Sequence, residues 1–306
     1  MLNRRQLMQS SAALLASGLL PVRLSAASTP LIRRQIPSSS EMIPVIGMGT
    51  SRTFDAGADA ETLARLSEVM QAFFAGGGTV IDSSPMYGEA ESRVGDVLRG
   101  MEPRPAVFAA TKVWTEGRQE GISQMQQSAR RMAVSRFDLI AVHNLVDWKT
   151  QLATLKAWKS EGKVRYIGIT TSHGRFHDEL LEIMRKEPLD FVQLTYNIGN
   201  RVAEEALLPL AAERGIATMI NRPFQRGSLF GRSSGQPLPG VAKDLGCDSW
   251  GQFFLKFIIG HPAVTNVIPA TSKVHHMVDN MGANTGPVPD AGQRAEMLRV
   301  FEELPA

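Results

Sequence analysis

The chain has 306 residues, 43% hydrophobic and 21% charged, with 33 basic side chains against 30 acidic ones and a net charge of +3. That length suffices for one large core or two small ones, and the composition is that of an ordinary globular protein. The single cysteine, Cys247, excludes an intrachain disulfide, and the absence of any paired-cysteine spacing argues against a structural zinc site, so no metal is expected.

The first 27 residues differ from the rest. Arg4 and Arg5 precede a modest apolar run from Ala12 to Leu20, and small residues follow at Ser25, Ala26 and Ala27. The run is too short to span a bilayer, and the layout is that of an export signal. The adjacent arginines point to the twin-arginine machinery and hence to the periplasm, with a cytoplasmic location if the signal is not used. The segment carries Arg4, Arg5 and Arg23 and no acid, so 30 of the 33 basic residues remain against 30 acids. The mature chain is near neutral, and no basic patch argues for nucleic acid. One domain is expected over 28–306, as a monomer or weak oligomer.

Ahead of the first strand, "LIRRQIPSSSEMIPVIG" suggests a hairpin turning near Ser38 to Ser40. "VIGMGT" then opens a series in which short apolar strands alternate with amphipathic helices. Further strands are predicted near Thr79, Ala106, Phe137, Val164, Asp190 and Ala217, and "VTNVIPATS" supplies an eighth. Their apolar character is continuous, as in parallel strands buried on both faces. Between them the period changes. Leu63, Leu66, Met70, Phe73 and Phe74 form one stripe, stopped by Gly76, Gly77 and Gly78. Leu152, Leu155 and Trp158 form another, stopped by Gly162. A last amphipathic helix is expected near Gln293 to Leu304. Eight such units predict a (β/α)8 TIM barrel with a short N-terminal β-hairpin. A doubly wound sheet would want a glycine-rich fingerprint after the first strand, which "IGMGTSRTFD" does not supply.

Barrel chemistry stands at the C-terminal ends of the strands. There the sequence places Asp82, Lys112 and His143 in three consecutive units, with Tyr87 in the loop beyond Asp82. Singly, each has a plainer reading: a helix cap, a solvated charge, a partly buried histidine, a packed aromatic. Together they can converge. Lys112 beside Asp82 would satisfy two charges otherwise costly to bury. A lysine near Tyr87 would lower the phenol from its ordinary pKa of about 10, making it a proton donor to a carbonyl oxygen that His143 orients. None of the four donates hydride, so a cofactor is required.

These segments resemble the aldo-keto reductase family. "IDSSPMYG" is similar to its Asp-x-x-x-x-Tyr-Gly segment, "TKVW" to its lysine strand and "FDLIAVHN" to its histidine strand. "LKAWKSEGKVRYIGITTS", "LTYN", "RPFQRGSLF" and "VIPATSKVHHMVDNMGA" follow in the family's order. The resemblance implies reduction of a small carbonyl substrate by NADPH, with NADH as the alternative donor. It assigns the tetrad to Asp82, Tyr87, Lys112 and His143, with Tyr87 as general acid. It places the nicotinamide amide at Thr170, Thr171 and Gln193, and the pyrophosphate near Gln225, Gly227 and Ser228. The adenosine end would meet Thr271, Ser272, Lys273, Asp279 and Asn280. Asn221 stands where a stacking aromatic is common, and Ala270 and His276 where basic residues often hold the 2′-phosphate. Trp114, Met86, Leu145, Trp148 and Phe54 are expected to wall the substrate pocket, left open by a short C-terminal tail. The competing reading is a nucleotide-binding, redox-sensing subunit that acts through a protein partner.

Overall fold

The computed structural model describes residues 30–305; the export signal expected over 1–27 lies outside them. Eight parallel strands form one sheet in sequence order: β3 (Met48–Gly49), β4 (Val80–Asp82), β5 (Phe108–Val113), β6 (Phe137–His143), β7 (Val164–Thr170), β8 (Phe191–Thr195), β9 (Ala217–Asn221) and β10 (Asn266–Val267). Parallel bridges Ile46↔Val267 and Gly49↔Ala270 join the first strand to the last and complete the (β/α)8 barrel.

Strand periodicity explains why the apolar runs are continuous. In β5, Phe108 and Ala110 belong to the cluster inside the barrel, whereas Ala109 and Val113 pack in the layer under the helices. In β7 and β8, Tyr166 and Phe191 point in while Ile167, Ile169, Val192 and Leu194 point out. Both faces are buried, so both parities are apolar. The parity also fixes the site. Continuing inward every second residue from Val80, Ala110, Leu139, Tyr166 and Phe191 arrives at Asp82, Lys112, His143, Thr170 and Gln193. All five are buried polar residues at the C-terminal end of the barrel interior.

The other end is plugged. β1 (Arg33–Gln35) pairs antiparallel with β2 (Met42–Pro44), and the connecting turn carries Ser38 to Ser40 as expected. Ile36 and Ile43 of this hairpin join the inner cluster with Val80, Phe108 and Phe191, and the Ser39 hydroxyl lies 2.8 Å from the Tyr166 hydroxyl. The long interval before β10 holds helices at Leu229–Ser233, Gly240–Asp244 and Trp250–Ile259. The last of these, nearly all apolar, has no amphipathic stripe to announce it and is buried from Gly251 to Ile259. The terminal helix spans Ala291–Glu303 and starts on a capping box of Asp290 and Gln293.

Candidate active site

Lys112 is fully buried and directs its three protons at three oxygens: Asp82 Oδ1 at 2.8 Å, Asp82 Oδ2 at 2.7 Å and the Ser83 carbonyl at 2.7 Å. Gln193 Nε2 donates to Asp82 Oδ1 at 2.9 Å, so the carboxylate is held from two strands. Burial pulls the Lys112 ammonium down, but the Asp82 carboxylate and the neighbouring phenol outweigh it, and the net shift is upward. Lys112 is therefore a fixed positive charge at neutral pH.

Tyr87 reaches this charge through a tight turn. Its amide donates to the Ser84 carbonyl at 3.0 Å across Pro85 and Met86, and the helix Ala90–Arg99 begins just beyond. The Lys112 Nζ lies 5.1 Å from the centre of the Tyr87 ring, and the His143 ring meets it edge-on at 5.8 Å. Since the lysine protons are directed mainly at Asp82 and Ser83, Lys112 acts on the phenol chiefly by charge. The expected lowering of the Tyr87 pKa is overturned. Burial raises it more than Lys112 lowers it, so the group is a phenol across the neutral range. His143 is shifted down to about 3, by burial and then by the Lys112 charge, and is a neutral imidazole.

A cavity of about 970 Å³ runs from this cluster across the barrel top. Asp82, Tyr87, His143, Thr170, Gln193, Gly227, Thr271, Asp279 and Asn280 all line it. Gln225 and Ser228 line an adjoining cavity, sharing the His173 and Arg222 walls, whereas Thr171, Ser272 and Lys273 line neither. Thr170 donates to Gln193 Oε1 at 3.1 Å, so this pair is engaged with itself and with Asp82. Asn221, in the place of a stacking aromatic, is locked by hydrogen bonds to the Thr171 carbonyl at 3.0 Å and from the Thr195 hydroxyl at 2.6 Å. Asp279 accepts from Ser249 and Gln252 at 2.7 and 2.9 Å. Of the expected substrate wall only Met86 lines the cavity. Trp114 stands exposed with its ring 6.4 Å from His143, Trp148 bonds Glu179, and Phe54 and Leu145 are core residues. Among the described residues the last to line the cavity is Asn280.

Four arginines that sequence reasoning passed over also line the cavity: Arg52, Arg175, Arg222 and Arg226. Among the described residues none of them pairs with a carboxylate; Arg222 is half-buried and the other three are exposed. Arg222 and Arg226 sit in a loop where Arg222, Gln225 and Arg226 take left-handed backbone at φ 53°, 48° and 61°, a conformation costly for residues with a Cβ. Burial, and then the charges of Arg226 and Arg52, hold the Arg222 guanidinium below its ordinary pKa, and its buried Nε has no partner. An anion would relieve both the repulsion and the orphaned donor. The signal was in the sequence as four arginines in the loops after the first, fifth and seventh barrel strands.

The family model for the aldo/keto reductase family matches residues 45–292, and the chain belongs to that family of NAD(P)H-dependent oxidoreductases. The methylglyoxal reductase YeaE of Escherichia coli K12 is 27% identical over 250 residues, covering 79% of this chain and 86% of that protein. The NADH-specific methylglyoxal reductase of the same organism is 29% identical over 199 residues, 55% of this chain and 59% of that one. In fold, the chain is similar to a Klebsiella pneumoniae aldo-keto reductase solved in complex with NADPH, with TM-score 0.73, 22% identity, and 89% and 96% of the two chains covered.

A dinucleotide would suit this cavity, because the arginines without carboxylate partners could take its phosphates. Arg222→Gln should weaken NADPH and NADH binding about tenfold and flatten its salt dependence, as read by fluorescence titration of the folded protein. A second expectation follows from His143. Its folded pKa of about 3 lies below the ordinary 6.5, so the unfolded chain takes the proton first. The associated stability is complete above about pH 6.5 and is lost as pH falls toward 3, with a slope of at most about 1.4 kcal/mol per pH unit. Denaturant unfolding between pH 7 and pH 4 should show that component in the wild type and not in His143→Gln.

Proposed function

We propose that this chain reduces the carbonyl group of small aldehydes or ketones to the alcohol, with Tyr87 as general acid. One observation carries the reading: Tyr87 and His143 line the same cavity beside a buried ammonium, and His143 is engaged by Ser84 only through Nδ1, leaving Nε2 free of partners among the described residues. A carbonyl oxygen is the group that would accept from both.

The dinucleotide, when bound, supplies hydride to the carbonyl carbon. The protein's share is proton and charge management. Tyr87 is held protonated by burial and gives its proton to the oxygen as negative charge develops there. Lys112 stabilises the phenolate left behind, and Asp82 keeps that ammonium in place. His143 fixes the oxygen and, being neutral, does not compete as the acid. Arg52, Arg222 and Arg226 would hold the cofactor's phosphates. Two similar Escherichia coli proteins are named methylglyoxal reductases, so short 2-oxoaldehydes are the first substrates to test.

Purified mature protein should consume NADPH or NADH on addition of methylglyoxal or a simple aldehyde, followed by loss of reduced-nicotinamide absorbance. Tyr87→Phe should lower kcat by about 10²–10⁴-fold while nucleotide binding persists. Unchanged turnover in that variant, or no turnover across a broad carbonyl panel, overturns the reading.

Residues 1–27 we assign to export of the folded protein through the twin-arginine route, on the strength of Arg4, Arg5 and the apolar run that follows. Replacing both arginines by lysine should leave the protein in the cytoplasm when cells are fractionated; an unaltered distribution refutes export by this route.

A further inference from the structure

We infer that Ser84 is a positioning residue that sets the tautomer of His143, placing the ring proton on Nε2, where it faces the reacting carbonyl. The inference rests on the reading of His143 as the group that holds the carbonyl oxygen. It comes from accounting for every hydrogen around one buried hydroxyl.

Ser84 is fully buried, and His143 nearly so. The Ser84 Oγ lies 3.0 Å from His143 Nδ1 and accepts the Met86 amide proton at 3.2 Å. Among the described residues these are its only partners. A serine hydroxyl has one hydrogen to give, and His143 Nδ1 is the one acceptor in reach. If Nδ1 carried a proton, it and the Met86 amide would both point at Oγ, and the serine's own hydrogen would be buried without an acceptor. The penalty for an orphaned buried donor biases the tautomers by about tenfold or more. Ser84 therefore donates to Nδ1, which must be bare, and the neutral ring carries its hydrogen on Nε2. The imidazole then offers a donor to the cavity, as a carbonyl oxygen requires. The other tautomer would present a lone pair and repel it.

The geometry also explains why this serine is available. Ser84 opens the turn that closes when its carbonyl accepts the Tyr87 amide, with Pro85 supplying the fixed φ at the second position. One four-residue turn thus lays the proton donor over Lys112 and sets the hydroxyl that orients the second donor. Replacing Ser84 by alanine removes the hydroxyl and leaves the backbone bonds of the turn in place.

The test uses the mature chain with ¹⁵N-labelled histidine, the His143 signals being identified by their loss in His143→Gln. Nitrogen shifts distinguish a bare ring nitrogen from a protonated one. The wild type should show a bare Nδ1 and a protonated Nε2; in Ser84→Ala the two tautomers should mix, with kcat about tenfold lower and nucleotide affinity unchanged. Ser84→Thr, which keeps the hydroxyl, should restore the wild-type signature and most of kcat. A protonated Nδ1 in the wild type overturns the inference, as does a Ser84→Ala spectrum identical to wild type. A Ser84→Ala variant that is less stable but keeps the tautomer and kcat shows a structural role alone and overturns it too. Failure of the carbonyl-reductase reading shows elsewhere, as turnover that survives Tyr87→Phe, so the two outcomes stay separate.

Discussion

The buried ion pair between Lys112 and Asp82 is the constraint on which the rest of the site depends. Side chains exposed by only 0% and 4% and joined at 2.7 Å would be costly to desolvate as isolated charges. The barrel meets that cost by completing every bond: two carboxylate oxygens and the Ser83 carbonyl take the ammonium protons, and Gln193 supports the carboxylate from the opposite side. Thr50 donates to the Asp82 carbonyl and anchors the strand end. What results is a positive charge that neither moves nor titrates near neutrality. Its effects reach two neighbours in opposite senses: it opposes the upward shift of Tyr87 and drives His143 further down. Tyr87 is then a protonated phenol and His143 a neutral imidazole, the states that the proposed reaction would need.

Much of this was legible from the strands. Hydrophobic runs of the right length and spacing give eight units, and the barrel, its order and its hairpin are found as the periodicity predicts. The convergence of Asp82, Lys112 and His143 was also legible, because strand parity brings the last inward residue of each neighbouring strand to one layer. Loop residues were not. Phe54 and Leu145 have the composition of a pocket wall and pack into the core instead, since loop direction is set by turns and positive-φ residues that no period records. The Tyr87 pKa was misjudged for a related reason: a nearby charge can be guessed from neighbouring strands, whereas depth of burial depends on the loops that close over the ring.

Positive charge is used here in two physically distinct ways. Lys112 is neutralised within the protein and so acts over short range on the reacting groups. Arg52, Arg222 and Arg226 have no carboxylate partner among the described residues, and Arg52 and Arg226 lower the Arg222 pKa, so an anion in the cavity shared with Tyr87 and His143 would relieve their repulsion. A left-handed loop that holds two like charges together is unfavourable by itself, and a bound phosphate would offset the repulsion.

The distribution of that charge bears on which dinucleotide is held. Toward the positions that the family assigns to the adenosine end, the cavity is lined by Ala270, Thr271, His276, Asp279 and Asn280. Burial, and then the His275 and Lys273 charges, depress the His276 pKa, so that ring is neutral; Asp279 is occupied by Ser249 and Gln252. On the proposed reading, Arg52, Arg222 and Arg226 would act on the phosphates that NADPH and NADH have in common, and no arginine lines the cavity beside Ala270, Thr271, His276, Asp279 and Asn280. Such an arrangement favours affinity over discrimination.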